Sequence, residues 1–269
     1  MTETCIKIMG ILNVTPDSFS DGGSFASFEA ALAQADRLIE DGADILDVGG
    51  ESTRPFAAPV STEDELQRVI PVIEAVRRKH PVTISIDTTK AVVAREALRA
   101  GANIINDISA LRKDPEMLSV VKESEVPVII MHMQGTPADM QIEPRYDDVV
   151  ADIVDFFAER ISWITKNGVA KDRLIIDPGI GFGKTVHHNL SLLKHLETLS
   201  TLGLPVLLGH SRKRFLGEVT KISREVDRDL ATAVASALCI DKNIAIVRVH
   251  NVAATRQALM VAEAIRRAA

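Results

Sequence analysis

The sequence is poor in cysteine and has no long apolar run. Its 269 residues include two cysteines, Cys5 and Cys239, which lie far apart and outside any CxxC pair. They support neither a disulfide framework nor a zinc site, so we expect a reducing, cytoplasmic setting. No apolar stretch approaches the roughly 18–20 residues of a membrane helix, and the apolar run near the N-terminus is typical of a strand rather than a signal peptide. We therefore expect no membrane association and no export.

Basic residues are outnumbered by acidic ones. The chain has 37 acidic and 31 basic residues, for a net charge of −6, and no basic stripe with interleaved aromatic residues. This balance argues against general nucleic-acid binding, so no nucleic-acid partner is expected. An anionic ligand would need a local cluster of cations.

Short β-rich runs alternate with longer helical patterns along the whole chain. Most of the runs are near-continuous apolar stretches, as expected for parallel strands that are buried on both faces. Eight such runs are present: Ile6–Val14, Ile45–Gly50, Val82–Thr88, Ile104–Ser109, Val126–Met133, Arg173–Gly179, Pro205–Ser211 and Ala245–His250. The helical patterns are Phe28–Asp41, Thr62–Lys79, Lys90–Ala100, Pro115–Lys122, Asp148–Asn167, Leu190–Leu202, Asp229–Asp241 and Val252–Arg267.

This alternation predicts an α/β fold in which a parallel sheet closes into a (β/α)8 TIM barrel, as a single domain over residues 1–269. The main alternative is an open doubly wound sheet, but its G-x-G-x-x-G fingerprint is absent after the first strand. One helix start is also marked, because Thr62 and Glu65 have the spacing of a capping box.

Polar residues lie at the carboxyl end of every predicted strand. In a barrel of this kind the active site lies at those ends. Any one of them could be polar simply because strand ends meet water. Polar groups at the ends of all eight strands are better explained by a shared ligand. The residues are Asn13, Arg54, Asp87, Asn106, His132, Asp177, Lys213, Arg248 and His250.

These residues divide into two chemical sets. Asp87, Asn106 and Asp177 supply acceptors and one amide, which could recognise a flat heterocycle with several N–H groups and a carbonyl. A second set supplies positive charge that could hold a phosphate or diphosphate: Arg54, Lys213, Arg248 and His250. A polar heterocycle joined to an anionic leaving group fits this rim better than a simple sugar phosphate.

The segment from Gly179 to Thr185 looks at first like a phosphate-binding loop. The Walker pattern requires glycine where this chain has Pro178, so an ATPase is not indicated. We expect the glycines to let the backbone approach a ligand, with Phe182 as one wall. A purely structural left-handed turn is the alternative.

Several motifs together resemble the dihydropteroate synthases. The two long N-terminal ones are highly specific, and the short ones follow in the order seen in that family. They are GILNVTPDSFSDGG from Gly10, DVGGESTRP from Asp47, SIDT from Ser85, NDI from Asn106, MHM from Met131, DPGIGFGK from Asp177, SRK from Ser211 and RVH from Arg248. The resemblance covers essentially the whole chain.

The resemblance implies displacement of diphosphate from a pterin methylene group by p-aminobenzoate, with Mg²⁺ as cofactor, sulfonamides as inhibitors and a homodimer formed by the late helices. It also implies residue roles. Catalytic residues would be Asp87, Asn106, Asp177 and Lys213. The pterin would be bound by these four together with Met131 and Phe182. The diphosphate would be bound by Asn13, Arg54, Arg248 and His250, with Asn13 also a metal ligand. The p-aminobenzoate pocket would comprise Phe19, Thr53, Pro55, Lys213 and the backbone near Arg214.

Two positions depart from the family pattern. Phe56 stands where a small residue is expected and could narrow the arylamine pocket, and His210 stands where the family usually has something small. We interpret His210 as a packed strand histidine rather than a catalytic one. Two alternative functions are kept: a corrinoid-dependent methyl-folate methyltransferase, which has no diphosphate to bind, and a non-catalytic pterin-binding paralogue.

Overall fold

Eight parallel strands form a closed barrel in sequence order, as the sequence predicts. The computed structural model describes residues 6–15, 23–52, 59–137 and 139–268, with the backbone alone for residues 23–27. The strands are β1 Lys7–Asn13, β2 Ile45–Gly49, β3 Thr83–Asp87, β4 Ile104–Asp107, β5 Val128–Met131, β6 Leu174–Asp177, β7 Val206–Leu208 and β8 Ile244–Val249.

Helices connect the strands on the outside of the barrel. Those in the described ranges are α1 Gly23–Glu40, α2 Thr62–Lys79, α3 Ala91–Ala100, α4 Met117–Ser124, α5 Val149–Lys166, α6 Val186–Lys194, α7 Arg214–Thr220, α8 Asp229–Leu238 and α9 Val252–Arg267. Short 3-10 segments cover Lys171–Arg173, Leu196–Leu202 and Glu225–Arg228. None of the helices in these ranges is long and apolar enough to cross a membrane.

The larger hydrophobic core lies between the strands and the helices. α5 shows how the sequence builds it, because Ile153, Phe157, Ile161 and Ile164 recur at helical spacing and are all buried. The strands supply the facing layer, which includes Ile84 of β3, Ile105 of β4 and Ile130 of β5. Burial of this continuous apolar surface is the main stabilising term for such a fold.

A second, smaller apolar cluster fills the barrel interior near the amino ends of the strands. Its buried members are Met9, Ile45, Ile104, Ile129, Leu207 and Ile246. Further along the same strands, the interior positions become polar, and Asp47 lies opposite Ser85 in the parallel register. Since the amino end is plugged with apolar side chains, these polar groups can meet a ligand only at the carboxyl end.

Some predicted boundaries were too long. β5 ends at Met131 and β7 at Leu208, so His132 and His210 lie in the following loops rather than in strands. The His132 amide still donates to the Asp177 carbonyl of β6, so backbone contact between the two strands extends one residue past the end of β5. β7 is irregular, with a register shift between Val206 and Leu207.

Two helical predictions were also imprecise. The pattern Leu190–Leu202 is in fact the end of α6 followed by a separate 3-10 segment, and α7 was not predicted. α2 begins at Thr62 as expected, but its cap is Ser61, whose hydroxyl accepts the Asp64 amide at 3.0 Å. Glu65, the predicted capping partner, does not cap the helix; it is fully buried and forms an ion pair with Lys90.

Candidate active site

Arg248, on β8, lies at the centre of the polar interior. Its Nε donates to Asp47 on β2 at 2.5 Å, and its Nη2 donates to Asp87 on β3 at 2.7 Å. The Asn106 amide, on β4, donates to the same Asp47 carboxylate at 3.2 Å. The Arg248 guanidinium and the buried Asp47 carboxylate therefore fix two predicted pterin-binding residues, Asp87 on β3 and Asn106 on β4, relative to each other.

Asp177 and Lys213 approach from the other side of the barrel. Asp177 ends β6 and is buried, and its Oδ1 accepts the Gly179 amide at 2.8 Å. The Lys213 ammonium stands 4.0 Å above the centre of the Phe182 ring, a cation–π contact. The structure thus brings together Asp87, Asn106, Asp177, Lys213 and Phe182, as the sequence indicated.

Burial shifts the proton affinities of this group. It raises the pKa of Asp177 to about 6 and raises that of Asp87 against the opposing charge of Arg248. Burial, with Arg248 nearby, also lowers the pKa of Lys213 to about 8. Burial alone would lower the pKa of Arg248, but Asp47 and Asp87 outweigh it and raise that pKa. Carboxylates with raised pKa values gain from any ligand that donates hydrogen bonds to them.

An apolar wall adjoins these charges. Ile108, Met131, Met133, Met140 and Phe182 form a separate buried cluster at the carboxyl end of the barrel. Met131 and Phe182 belong to the predicted pterin set, and their position beside Asp177 and Lys213 suits the face of a flat ring. Polar edges and an apolar wall together match the two requirements of a polar heterocycle.

His250 differs from its expected role as a cation. Its Nδ1 lies 2.9 Å from the Ser211 hydroxyl, and burial, together with Arg212 and Arg248, lowers its pKa to about 3. Burial and the neighbouring arginines therefore disfavour the charged imidazolium. The predicted contact of His250 with a diphosphate stays a prediction.

The other predicted diphosphate and arylamine residues are only partly described. Asn13 ends β1 opposite Gly49 and is half-buried, at the carboxyl end of the barrel. The Arg214 side chain is 85% exposed and pairs with Glu218, so only its backbone, at the start of α7, is left for the predicted arylamine contact, which stays a prediction. The remaining positions lie outside the described residues: Phe19, Thr53, Arg54, Pro55 and the divergent Phe56.

The glycines after β6 are required by the protein itself. At Gly179, where φ is +67°, an added Cβ would lie 1.9 Å from the His132 carbonyl oxygen, and at Gly183 it would lie 2.7 Å from the Gln134 carbonyl oxygen. This supports the structural left-handed turn rather than the expected backbone approach to a ligand. Phe182 is nevertheless presented as a wall of the site.

Lys184 ties this turn to β5 from the inside. Its ammonium donates to the carbonyls of Gly179 and Phe182 at 3.0 and 2.9 Å, and it lies 3.0 Å from Nδ1 of His132. Burial lowers the pKa of His132 to about 2, so its neutral ring can accept from the lysine. His132 therefore supports the turn and is not placed among the ligand-binding groups.

Sequence reasoning missed Asp47, Lys184 and the buried Ser85, whose hydroxyl has no hydrogen-bond partner among the described residues. A signal was present for Asp47, because a carboxylate inside an otherwise apolar strand needs a buried partner. No local pattern identifies that partner, since Arg248 is 201 positions away.

His210 is packed, as interpreted from the sequence, although in a loop. It is fully buried, with Nε2 2.9 Å from the Ser236 hydroxyl and 3.1 Å from the Thr232 carbonyl of α8. Burial lowers its pKa, so it is a neutral contact between the loop after β7 and α8.

A cavity of about 450 Å³ opens at the ends of β2, β3 and β4. Its lining includes Glu51, Asp87, Ile108, Arg112 and Lys113. The cavity reaches Asp87, which leaves this predicted pterin residue accessible to a small molecule.

Comparison with known proteins agrees with this geometry. A sequence model of the family described as "Pterin binding enzyme" matches residues 9–250. The dihydropteroate synthase of Escherichia coli K12 is 49% identical over 259 residues, which cover 96% of this chain and 90% of that protein. This chain belongs to the dihydropteroate synthase family.

Solved structures of dihydropteroate synthases have the same fold. The enzyme of Xanthomonas albilineans with 4-aminobenzoic acid has a TM-score of 0.93 and 48% identity, covering 98% of this chain and 94% of that one. The Yersinia pestis enzyme with a sulfonamide drug complex has a TM-score of 0.92 and 44% identity, covering 98% and 95%. Members of this family are transferases, which establishes the reaction class of this chain.

Gly179→Ala tests the role of the glycine turn, with Gly203→Ala as the matched control. Both positions have positive φ, but an added Cβ at Gly203 meets nothing closer than the Lys171 ammonium at 3.7 Å. We expect Gly203→Ala to lower the free energy of unfolding by about 1–2 kcal/mol through backbone strain alone. Gly179→Ala should lower it by roughly 1–3 kcal/mol more, because the His132 carbonyl must move. Equal losses in urea unfolding would contradict this account.

Proposed function

We propose that this chain condenses 6-hydroxymethyl-7,8-dihydropterin diphosphate with p-aminobenzoate, giving 7,8-dihydropteroate and diphosphate on the folate pathway. The observation that carries the proposal is the buried group of Asp87, Asn106 and Asp177, held around Arg248 and beside Lys213 and Phe182. The family membership of the chain makes the same assignment.

Pterin recognition follows from the donor and acceptor pattern. Asp87 and Asp177 would accept hydrogen bonds from the ring N–H and amino groups, while Asn106 and Lys213 would contact the remaining polar atoms. Met131 and Phe182 would pack against the ring. A carboxylate whose charge is disfavoured by burial is stabilised by such donors, so the shifted pKa of Asp177 supports this role.

The chemistry breaks the bond between the pterin methylene carbon and the diphosphate oxygen. The bonding electrons leave with diphosphate, and the electron-rich pterin stabilises the methylene cation. The arylamine nitrogen then forms the new bond and loses a proton. Asp87 and Asp177 would stabilise the cation, Arg54, Arg248 and His250 would hold the leaving group, and Lys213 would orient the pterin ring and line the approach of the arylamine. An arylamine is already a neutral nucleophile, so no strong general base is needed.

Asn13 fits the role of a Mg²⁺ ligand. Mg²⁺ prefers oxygen and often binds through one or two protein oxygens together with substrate phosphates. The Asn13 amide is half-buried at the carboxyl end of β1, where its oxygen could meet a diphosphate. The described residues contain no cluster of three or more His, Cys, Asp or Glu suited to a metal, so the ion would depend on the diphosphate for most of its ligands. When bound, Mg²⁺ would neutralise charge on the leaving group.

The arylamine would bind between Lys213, the backbone of Arg214 and the residues Phe19, Thr53 and Pro55. Relatives have been solved with 4-aminobenzoic acid and with a sulfonamide drug. We propose that sulfonamides occupy the same pocket here. The methyltransferase and the non-catalytic paralogue are not favoured, because the relatives are synthases and the described cations Arg248 and Lys213 are in place.

A coupled assay for diphosphate release tests this function. The protein is given the pterin diphosphate and Mg²⁺, with and without p-aminobenzoate, a sulfonamide or a chelator. We expect release that depends on the arylamine, falls with the sulfonamide and requires the metal. Pterin binding without any arylamine-dependent release would contradict the synthase and favour one of the two alternatives; release unaffected by chelation would contradict the metal alone.

We also propose a homodimer formed through α8 and α9, as the family resemblance implies. Leu230, Leu238, Val261 and Ile265 on these helices are each at least 60% exposed. Apolar side chains from both helices line one groove, which would be covered by the same surface of a second copy.

A cytoplasmic location is proposed as well, supported by the buried free thiol of Cys239. Recovery of the chain from a non-cytoplasmic fraction would contradict it.

Leu238→Glu tests the dimer, with Ile142→Glu as the control at an equally apolar, exposed site elsewhere. A charge buried in the interface without a partner is strongly disfavoured, so Leu238→Glu should shift the protein towards monomer by roughly tenfold or more in the dissociation constant. Ile142→Glu should leave it unchanged. Sedimentation velocity measures both; an unmodified chain that is monomeric at micromolar concentration would contradict the proposal.

A further inference from the structure

Lys90 links three elements of the barrel rim. It follows β3 and caps α3, and its ammonium donates to Glu51, after β2, at 2.6 Å and to Glu65, in α2, through a short hydrogen bond. All three side chains are buried or nearly so. The described hydrogen bonds of the proposed substrate-binding residues do not include this lysine, so it needs a separate explanation.

The group carries one excess negative charge, from two carboxylates and one ammonium. Glu65 is fully buried, and its second oxygen, Oε1, has no hydrogen-bond partner among the described residues. Burial acts to raise the pKa of Glu51, but the hydrogen bonds from Lys90 and the Val60 amide, together with the charges of Lys90 and Lys113, outweigh it and lower that pKa. Without the lysine, Glu51 and Glu65 would lose the ammonium that is hydrogen-bonded to both, which would leave only the more distant charge of Lys113 acting on Glu51.

Glu51 also connects the two ends of the segment between β2 and α2. Its Oε1 accepts the Val60 amide at 3.2 Å, while its Oε2 is held by Lys90. Arg68 of α2 donates to the Gly50 carbonyl at 2.8 Å, and an added Cβ at Gly50 would lie 2.8 Å from Val69. Gly50, at the start of this segment, is therefore held against α2, and Val60, near its end, is held to Glu51.

We propose that Lys90 is a positioning residue that, through Glu51 and Glu65, holds the two described ends of the connection between β2 and α2, at Glu51 and Val60, for substrate binding. The inference rests on the proposed function, because that connection carries Arg54, assigned to the diphosphate, and Thr53 and Pro55, assigned to the arylamine. Lys90 touches neither substrate. It acts by holding the base of the segment that does.

Kinetics of Lys90→Met and Lys90→Arg test this role. Lys90→Met should lower kcat/KM for p-aminobenzoate by roughly tenfold or more, because small displacements of binding groups are costly. The dissociation constant of 6-hydroxymethylpterin, which lacks the diphosphate, should change by no more than about twofold, since the described hydrogen bonds of Lys90 go to Glu51 and Glu65 and not to the proposed pterin residues. Lys90→Arg should restore most of the activity.

Lys79→Met is the matched control. Lys79 also pairs with a carboxylate, Asp36, but at the opposite end of α2, so we expect little change in either quantity. Glu51→Gln provides a second variant if Lys90→Met does not fold, and it should show the same split between arylamine turnover and pterin binding. Equal losses of pterin affinity and turnover, or effects no larger than those of Lys79→Met, would overturn the proposal.

Hydrogen exchange at the Val60 amide gives a readout that does not depend on activity. This amide should exchange faster in Lys90→Met and Glu51→Gln than in the unmodified chain or Lys79→Met, because its acceptor is released. Unchanged exchange would overturn the positioning role. If the unmodified chain released no diphosphate with p-aminobenzoate, the proposed function would fail. Exchange at the Val60 amide would still show whether Lys90 holds Glu51 in place.

Discussion

The guanidinium of Arg248 contacts Asp47 and Asp87 in the barrel interior, where a charge without a partner would be strongly disfavoured. Loss of one member of such a buried pair typically costs about 3–5 kcal/mol. The contact also joins β8 to β2 and β3, and Asp47 extends it to Asn106 on β4. Because the apolar plug closes the amino end of the barrel, this charged group faces the carboxyl end and can be completed by a ligand there.

The remaining parts of the site are arranged around that group. Asp177 is placed by β6 and by the amide of Gly179, and Lys184 holds the same turn from within, which presents Phe182 to the Lys213 ammonium. Asp177 remains buried with its pKa raised, so the protein keeps a carboxylate where an apolar residue would be more stable. That arrangement is understandable if a pterin supplies the missing donors.

The barrel, and the placement of Asp87, Asn106 and Asp177 at the carboxyl ends of its strands, could be predicted because their signals are local. Buried parallel strands are near-continuous apolar runs, and Asp87, Asn106 and Asp177 interrupt those runs at their ends. Three-dimensional partnerships could not be predicted this way. The burial of His250, the internal role of Lys184 and the burial of Glu65 each depend on side chains brought together by folding. The single-domain assignment and the substrate roles of all the site residues stay predictions.

We infer that the site is less stable than it could be because it is built to bind a ligand. The most direct test is to measure how the free energy of unfolding of Asp177→Asn depends on pH. Burial raises the pKa of Asp177 from 3.8 to about 6, so the folded state disfavours the ionised form, and the resulting penalty is present above pH 6 and lost towards pH 4. Asp177→Asn should therefore raise the free energy of unfolding at pH 8 by roughly 1–3 kcal/mol, with the gain shrinking towards pH 4.5. Its affinity for 6-hydroxymethylpterin, measured by calorimetry, should fall by about tenfold or more. A variant that is less stable at both pH values, or that binds the pterin as well as the unmodified protein, would contradict the account.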